Sequence, residues 1–380
     1  MRSQWSTLFT RVLVPIFLAR LVDADCACGY AVNSTSAPPN AIFTELFETD
    51  FLHLKNLTSN GGWIPQAYND SAAVARGPFG KSASLANVVA NPILNKSEWA
   101  GPGANGGDPG LQLWVRAGVE NGVIGMGEVT TQRRDIVFGS IRVGIKMSNI
   151  TGTCGAFFWY FNNTQEIDVE YLSREFQPNN NSVNLVIQSP ASQAAGFNAA
   201  GTPGFTVMPL PFAPDDAFHE YRFDWLPDRV SFYADGSWLT DMNVSVPDSP
   251  GSLFLNHWSN GDPTWSGGPP ASDAVMTVSY VNAYFNTSNV TRNHQYAEAC
   301  ASGAASQICV IPDQQPALNP EGSNGNNTGS TFFFTQQPNS TTNQTLYPGG
   351  LVGEARRSVE SSVSALLSTL LLVFATIVLL

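Results

Sequence analysis

Positive charge is scarce in this chain: of 380 residues, 18 are Lys or Arg and 30 are Asp or Glu, which gives a formal net charge of −12. Proteins that bind nucleic acid neutralise phosphates with Lys and Arg, so this composition argues against a nucleic-acid partner. Charged residues of both signs make up 13% of the chain, and Asn, Ser, Thr and aromatic residues are abundant. Such a surface suits a neutral, hydroxyl-rich partner.

Cysteine is also rare, and the five residues are Cys26, Cys28, Cys154, Cys300 and Cys309. No histidine lies at metal-ligand spacing from any of them, so we expect neither a metal site nor a cofactor. In an exported protein most cysteines are paired, and an odd number leaves one thiol over. The spacing leaves the connectivity open.

Helical periodicity is almost absent between residues 40 and 290. Short segments of apolar or alternating residues, bounded by Gly, Pro and Asn, predict β-strands there. These segments are Leu111–Val115, Ile136–Met147, Val183–Gln188, Phe218–Trp225, Arg229–Ala234 and Ala274–Phe285. Turn residues such as Asp235-Gly236 separate them. The pattern predicts an all-β sandwich or jelly roll over residues 25–310, without an internal repeat.

The N-terminal residues predict export. An apolar stretch, Val12–Val22, follows two arginines and ends at small residues suitable for cleavage after Ala24. This is the pattern of a secretory signal peptide over residues 1–24. The alternative is a buried N-terminal helix, which Pro15 would kink.

The C-terminal residues predict a surface anchor. Small residues near Gly353 precede a polar spacer and an apolar tail, Ala365–Leu380, which is the pattern of a GPI-anchor signal over residues 354–380. A short tail-anchor helix is the alternative. Residues 311–353 are rich in Asn, Gln, Thr, Ser, Pro and Gly, which predicts a glycosylated stalk. We therefore expect a secreted protein held at the membrane or cell wall.

The density of glycosylation sequons agrees with a glycosylated surface protein. Asn-x-Ser/Thr occurs at Asn33, Asn56, Asn69, Asn95, Asn149, Asn162, Asn180, Asn243, Asn286, Asn289, Asn326, Asn339 and Asn343.

The segment Gln165–Tyr171 alternates three acids with Ile167 and Val169. Successive side chains of a strand point to opposite faces, so Glu166, Asp168 and Glu170 share one face while the apolar pair faces the core. Three acids in a row repel one another and contribute nothing to folding stability. Their arrangement therefore indicates a functional site.

Glycoside hydrolysis with retention of configuration needs two carboxyl groups, one as nucleophile and one as acid/base. Glu166 and Glu170 can supply them over a concave sheet, and Asp168 between them can keep their pKa values apart. Calcium binding is the rival interpretation, because acids at i, i+2 and i+4 also open an EF-hand loop. The glycine at the sixth position and the later glutamate of that loop are missing here.

This acidic segment resembles the active-site strand of glycoside hydrolase family 16, in the form without a β-bulge that lichenases and fungal cell-wall transglycosylases share. Two further segments support the resemblance: Phe218–Gly236, with its Phe-Asp-Trp and Tyr-x-Asp-Gly marks, and Leu255–Gly268. The resemblance implies a concanavalin A-like jelly roll of two antiparallel sheets. It also implies that Glu166 is the nucleophile, Asp168 the helper and Glu170 the acid/base.

Aromatic and amide side chains are the candidates for contacts with sugar rings. These candidates are Trp159, Tyr160, Trp225, Asn256, Trp258, Asn260 and Trp265. Packing in the core is an equal alternative for Trp159 and Trp225, whereas the polar, Gly-rich surroundings of Trp258 and Trp265 favour the cleft. His257 alternates with the asparagines, so we expect it to be a packed histidine on the opposite face.

The leading functional hypothesis is a retaining glycoside hydrolase that acts on cell-wall β-glucan, with β-1,3 or β-1,3/1,4 linkages. A β-glucan transglycosylase is an alternative, because hydrolysis and transfer use the same covalent intermediate. A glycan-binding lectin is a second alternative, but the acidic row favours a hydrolase or a transglycosylase over a lectin. A structural wall protein is a third, which the predicted stalk alone would permit.

Overall fold

The computed structural model describes residues 26, 28–32, 41–60, 62–176, 180–301, 308–311, 317, 319–320 and 345–347. Within them the regular secondary structure is mostly β-strand. In chain order the strands are β1 (Tyr30–Val32), β2 (Ile42–Phe43), β3 (Glu45–Asp50), β4 (Trp63–Pro65), β5 (Tyr68–Asp70), β6 (Gly80–Ala83), β7 (Val88–Asn91), β8 (Gly110–Val115), β9 (Val123–Thr131), β10 (Ile136–Lys146), β11 (Cys154–Asn162), β12 (Gln165–Leu172), β13 (Ser182–Gln188), β14 (Phe205–Pro209), β15 (His219–Leu226), β16 (Arg229–Ala234), β17 (Ser237–Met242), β18 (Ser252–Trp258), β19 (Ala274–Thr287), β20 (Cys309–Ile311) and β21 (Thr345–Tyr347).

The helices are short and peripheral. They are α1 (Leu57–Asn60), α2 (Ala72–Ala75), α3 (Pro190–Ala194) and α4 (Val290–Ala299), with single 3-10 turns at Leu85–Asn87 and Ser173–Glu175. In the described part of the chain, none of them is long and apolar enough to cross a membrane. Every strand predicted from the sequence is present within one or two residues of its expected ends.

Two large sheets form a sandwich, which confirms the predicted jelly-roll class. One sheet, here called the cleft sheet, has the order β14-β13-β12-β11-β18-β9-β6-β5, with β4 also paired to β9. The other, the back sheet, has the order β17-β16-β15-β10-β19-β3-β21, with β8 on β19 and β7 on β8. The acidic strand β12 therefore lies inside the cleft sheet, between β11 and β13.

The core fills the space between the two sheets. Ile167 and Val169 of β12 are buried in it, as the alternation predicts. Facing side chains come from β10 and β15, including Ile141, Val143 and Phe223. Burying this face fixes the register of β12, because a slip of one residue would move the three acids into the core.

Two disulfides join the ends of the described domain. Cys26 bonds to Cys309 and Cys28 to Cys300, which leaves Cys154 as a free, buried thiol. The connectivity left open by the spacing is thus a nested pair that spans the whole domain. The first bond lies beside a small sheet, β2-β1-β20, which packs on the outer side of the back sheet against Leu46 and Tyr284.

The predicted signal peptide lies outside the described residues, and so does the predicted anchor signal. Parts of the predicted stalk are described, and they contact the domain. Ala317 is buried, the carbonyl of Pro320 accepts a hydrogen bond from the Gly101 amide, and β21 pairs with β3 in parallel.

Candidate active site

The three acids of β12 lie together on the floor of a cleft. Glu166, Asp168 and Glu170 all line it, whereas Ile167 and Val169 point into the core. Asp168 is buried, and the two glutamates are half-buried on either side of it. The alternation therefore brings the three carboxyl groups to one face, as predicted.

Burial raises the pKa of all three acids. Burial raises the pKa of Glu166 to about 7, against a hydrogen bond with Asp168 that lowers it. Burial and the charges of both glutamates raise the pKa of Asp168 well above its usual range. Asp168 is therefore the acid of the pair that holds its proton more strongly, and Glu166 is the one that accepts the hydrogen bond.

Burial also raises the pKa of Glu170, and the Cys154 thiol, the Trp265 indole, Arg76 and Lys81 all oppose that rise. The pKa values of Glu166 and Glu170 are thus both raised. The pKa directions alone therefore do not distinguish the nucleophile from the acid/base.

A row of paired residues crosses four strands at the level of Glu170. Ala156 on β11 pairs with Glu170 on one side and with Asn256 on the other, and Asn256 pairs with Glu128 on β9. The small side chain of Ala156 leaves open space at the centre of this row. Polar groups flank that space, which is the arrangement that a hydroxyl-rich ligand requires.

Glu128 is held by two donors. Tyr68 donates its hydroxyl to Glu128 Oε2 at 3.1 Å, and Asn256 Nδ2 donates to the same oxygen at 3.2 Å. Burial raises the pKa of Glu128 against these hydrogen bonds. Glu128 was not among the residues predicted from the sequence, where the available signal was a lone acid in the otherwise uncharged strand Val123–Thr131.

Trp258 is half-buried and lines the cleft. The Lys81 ammonium lies 4.9 Å from the centroid of its ring, and 3.9 Å from Asp70. The Trp258 ring is thus placed at the cleft, and its contact with sugar stays a prediction. Lys81 itself had no signal in the sequence, since only the parallel pairing of β6 with β9 brings it here.

Trp265 projects from a loop that several hydrogen bonds hold in place. The Asp262 carbonyl accepts from the Trp265 and Gly267 amides, and Arg174 donates to the carbonyls of Pro263 and Thr264. The indole Nε1 donates to Glu170 Oε1 at 3.4 Å. Trp265 is thereby placed directly beside an acid of the row.

Asn260 lines the cleft, but its side-chain amide forms hydrogen bonds with neighbouring loops. Its Nδ2 donates to the Ala75 carbonyl at 2.7 Å, and its Oδ1 accepts from the Asp262 amide and the Ser266 hydroxyl. This differs from the predicted contact with sugar. Asn260 instead fixes the Trp265 loop to the end of α2.

For two of the candidate sugar-binding residues the alternative, packing in the core, holds, and the predicted contact with sugar is wrong. Trp159 and Trp225 are completely buried in the core, with ring centroids 4.3 Å apart. Their indole N–H groups donate to the carbonyls of Ile136 and Pro247. Trp159 pairs with Ile167 and so shares the core face, and Trp225 reaches the core from the back sheet.

Tyr160 pairs with Glu166 and lies on the cleft side of β11, at the edge of the site. Its hydroxyl donates to Asn163 Oδ1 at 2.8 Å. His257, as predicted, is packed in the interior, where its Nδ1 lies 3.0 Å from the Leu113 carbonyl. Burial lowers the pKa of His257 to about 4, so the imidazole is neutral.

Two loops meet over the cleft. Arg76, which follows α2, places its guanidinium 4.9 Å from the ring centroid of Phe197, which follows α3, and donates to the Phe197 carbonyl at 3.4 Å. Both residues line the cleft, which has a volume of about 710 Å³. No group of His, Cys, Asp and Glu in the described residues is arranged to hold a metal ion.

Comparison with known proteins agrees with this geometry. The family model "Glycosyl hydrolases family 16" matches residues 104–282, which include β12 and its three acids. The chain contains a glycoside hydrolase family 16 domain. The resemblance noted in the sequence is thereby confirmed.

Relatives of the family 16 domain include yeast and bacterial proteins. Congo red hypersensitive protein 1 of Saccharomyces cerevisiae is 26% identical over 182 residues, which are 44% of this chain and 33% of that protein. A beta-glucanase of Bacillus subtilis is 28% identical over 136 residues, 34% of this chain and 51% of that protein. The chain thus spans about half or less of the length of these relatives.

Solved structures similar to the family 16 domain include the Bacillus licheniformis beta-glucanase, with a TM-score of 0.47 and 18% identity over 63% of this chain and 97% of that one. They also include apo Crh5 transglycosylase, with a TM-score of 0.45 and 19% identity over 67% of this chain and 89% of that one.

Proposed function

We propose that this protein is a retaining glycoside hydrolase that acts on cell-wall β-glucan with β-1,3 or β-1,3/1,4 linkages. The observation that carries the proposal is the row of three carboxyl groups on the cleft face of β12. The family 16 domain supports the same conclusion, as do the beta-glucanases among its relatives.

In the first step of the proposed mechanism, a Glu166 oxygen attacks the anomeric carbon and forms a glycosyl ester. Glu170 gives its proton to the leaving glycosidic oxygen as the carbon–oxygen bond breaks. In the second step, Glu170 takes a proton from water or from a sugar hydroxyl, which attacks the anomeric carbon and releases Glu166. The order of these two roles comes from the family resemblance.

Asp168 assists Glu166 in this proposal. A protonated Asp168 that donates to the Glu166 carboxylate disperses its charge and keeps it ionised beside Glu170. Asp168 does not itself react, so its replacement by the isosteric Asn should cost less activity than the loss of either glutamate.

The charge of the cleft supports a neutral substrate. Six acidic residues line it, against the two cations Arg76 and Lys81. Even with Asp168 and Glu170 protonated, four acids face two cations, so the lining offers no surplus of positive charge to attract a polymer of uronic acids or sulfated sugars. The six acids are Asp70, Glu128, Glu166, Asp168, Glu170 and Asp262.

We also propose that the protein is displayed at the cell surface through a GPI anchor. Two disulfides support an oxidising compartment. Exposed sequon asparagines support glycosylation; within the described residues these are Asn56, Asn69, Asn95, Asn149, Asn162, Asn180, Asn243 and Asn289. Release of the protein from intact cells by phosphatidylinositol-specific phospholipase C tests the anchor; retention of Leu380 in the mature protein would contradict it.

The proposed activity is tested by incubating the purified domain with laminarin, mixed-linkage β-glucan and a uronic-acid polymer, each with a fluorescent oligosaccharide. New reducing ends from the neutral glucans indicate hydrolysis. Labelled polymer without new reducing ends indicates transfer. Binding without any product, unchanged in Glu166→Ala, would instead indicate a lectin, and activity confined to the uronic-acid polymer would contradict the substrate class.

A further inference from the structure

The free thiol of Cys154 lies beneath Glu170. Cys154 begins β11 and shares the cleft face with Ala156, yet its side chain is completely buried. Its Sγ donates to Glu170 Oε1 at 3.4 Å. The Gly155 carbonyl is a second acceptor at 3.7 Å, but the carboxylate is nearer and, when charged, the stronger acceptor.

Glu170 Oε1 also accepts the Trp265 indole N–H at 3.4 Å. Two donors from different elements, a strand and a loop, thus converge on one oxygen of the carboxylate. Within the described residues, Glu170 Oε2 has no hydrogen-bond partner. The two oxygens of the same side chain therefore differ in their surroundings: one is held and the other is free.

We propose that Cys154 is a positioning residue for Glu170: together with Trp265 it holds Oε1, so that Oε2 exchanges the proton with the glycosidic oxygen. This inference rests on the proposed function. A fixed carboxylate is oriented before substrate arrives, which removes the entropic cost of orienting it during the reaction.

A thiol suits this position because it stays protonated. Burial and the neighbouring Glu170 raise the pKa of Cys154 well above its usual range, so the S–H hydrogen remains available for donation. A thiol is also a weak donor. It therefore orients Glu170 without lowering its pKa so far that Glu170 would cease to act as an acid.

The charged groups around Glu170 must be held constant in a test. Glu166 and Asp168 lie on its own strand, Arg76 and Lys81 approach from α2 and β6, and Asp262 lies in the Trp265 loop. None of these changes when Cys154 is replaced by a neutral residue. A change in the pH profile of such a variant therefore reports on the thiol.

The first test compares Cys154→Val, which fills the space without a donor, with Cys154→Ser, which keeps one. Loss of a donor to the charged form raises the pKa of Glu170. We expect Cys154→Val to move the basic limb of kcat/KM on a β-glucan upward by about 0.5 to 1 pH unit and to lower kcat by about tenfold. Cys154→Ser should restore both. Equal profiles for wild type and Cys154→Val, with both folded by circular dichroism, would overturn the inference.

A second test does not depend on activity. With the other four cysteines paired, Cys154 is the sole thiol, and its S–H stretching band can be isolated by subtracting the infrared spectrum of Cys154→Ser. We expect the S–H band at a lower frequency than that of a thiol without a hydrogen bond. In Glu170→Gln the S–H frequency should rise, because the amide oxygen is a weaker acceptor than the carboxylate. An S–H frequency that is the same in Glu170→Gln as in wild type would contradict the hydrogen bond between Cys154 and Glu170, whether or not the enzyme is active. Inactivity on every glucan, with the band shifted as expected, would instead refute the proposed function.

Discussion

Asn256 on β18 stands directly opposite Glu128 on β9, and its Nδ2 donates to Glu128 Oε2 at 3.2 Å. Both residues line the cleft, on the far side of Ala156 from Glu170. The pair joins a predicted sugar-binding residue to an acid that the sequence did not reveal. It defines a polar wall of the cleft that is separate from the carboxylates of β12.

Replacing Asn256 by Ala should weaken substrate binding, because the variant loses a polar group of the cleft and leaves Glu128 with one donor fewer. We expect kcat/KM on β-glucan to fall about tenfold, mainly through KM. Tyr68→Phe removes the other donor to Glu128 and serves as the matched control. Its kcat/KM should fall less than that of Asn256→Ala. A kcat/KM within twofold of wild type in Asn256→Ala would show that this wall does not contact the substrate.

The tryptophans of the cleft and of the core should respond in opposite ways to truncation. Trp258→Ala or Trp265→Ala removes an aromatic surface for a sugar ring, so kcat/KM should fall at least tenfold while the melting temperature changes little. Trp225→Ala opens a cavity in the core and should cost about 3–5 kcal/mol of unfolding free energy. Kinetic assays and thermal melts of the three variants check this; a large stability loss in Trp258→Ala with normal kinetics would contradict it.

The sequence predicted the fold class and the face of the acidic row because both depend on local alternation. Glu166, Asp168 and Glu170 alternate with Ile167 and Val169, and this pattern needs no knowledge of neighbouring strands. The strands of the back sheet, such as β10 and β15, were found for the same reason.

The composition of the cleft was harder to predict because it depends on non-local pairing. Glu128 reaches the site through the pairing of β9 with β18, and Cys154 through that of β11 with β12. The sugar contact predicted for Trp159 rested on its closeness in sequence to the acidic segment, but that closeness does not show which face of β11 its side chain occupies. Its pairing with Ile167, which assigns it to the core, is known only once the turn between β11 and β12 is known.

The acidic row should lower the stability of the folded protein at neutral pH. A buried acid whose pKa is raised on folding contributes stability below its unfolded pKa, near 4, and loses that contribution as the pH rises through its folded pKa. For Glu166 this window runs from near 4 to about 7.

Glu166→Gln removes that titration. We expect this variant to exceed wild type by about 1–2 kcal/mol in unfolding free energy at pH 7, and to match it near pH 4. Denaturant unfolding at both pH values measures the difference. A variant that is less stable than wild type at pH 7 would contradict the raised pKa of Glu166.

The disulfides should stabilise the domain without affecting the cleft, since the small sheet beside Cys26 and Cys309 packs on the back sheet. The double variant Cys26→Ser, Cys309→Ser should lose about 3 kcal/mol of unfolding free energy, because with Cys28–Cys300 intact this bond closes only the short loop between the two disulfides. Its kcat at a temperature where it is folded should equal that of wild type. A selective loss of kcat in the fully folded variant would place this end of the domain in the catalytic machinery.

The central claim, that Glu166 is the nucleophile and Glu170 the acid/base, is tested most directly by azide rescue. Without Glu170, a glycoside with an activated leaving group still forms the glycosyl ester on Glu166, which then hydrolyses slowly. Azide needs no general base, so it attacks the ester and yields a β-glycosyl azide with retained configuration. Without Glu166, azide enters from the vacated face and yields the inverted α-azide.

The measurement is the anomeric configuration of the azide product, determined by NMR for Glu166→Ala and Glu170→Ala, with Asp168→Asn as a matched control. Each glutamate variant should lose several orders of magnitude in kcat without azide, and Asp168→Asn should lose less. We expect the α-azide from Glu166→Ala and the β-azide from Glu170→Ala. The opposite pair of products would reverse the two roles, and full activity in both variants would remove the row from the mechanism.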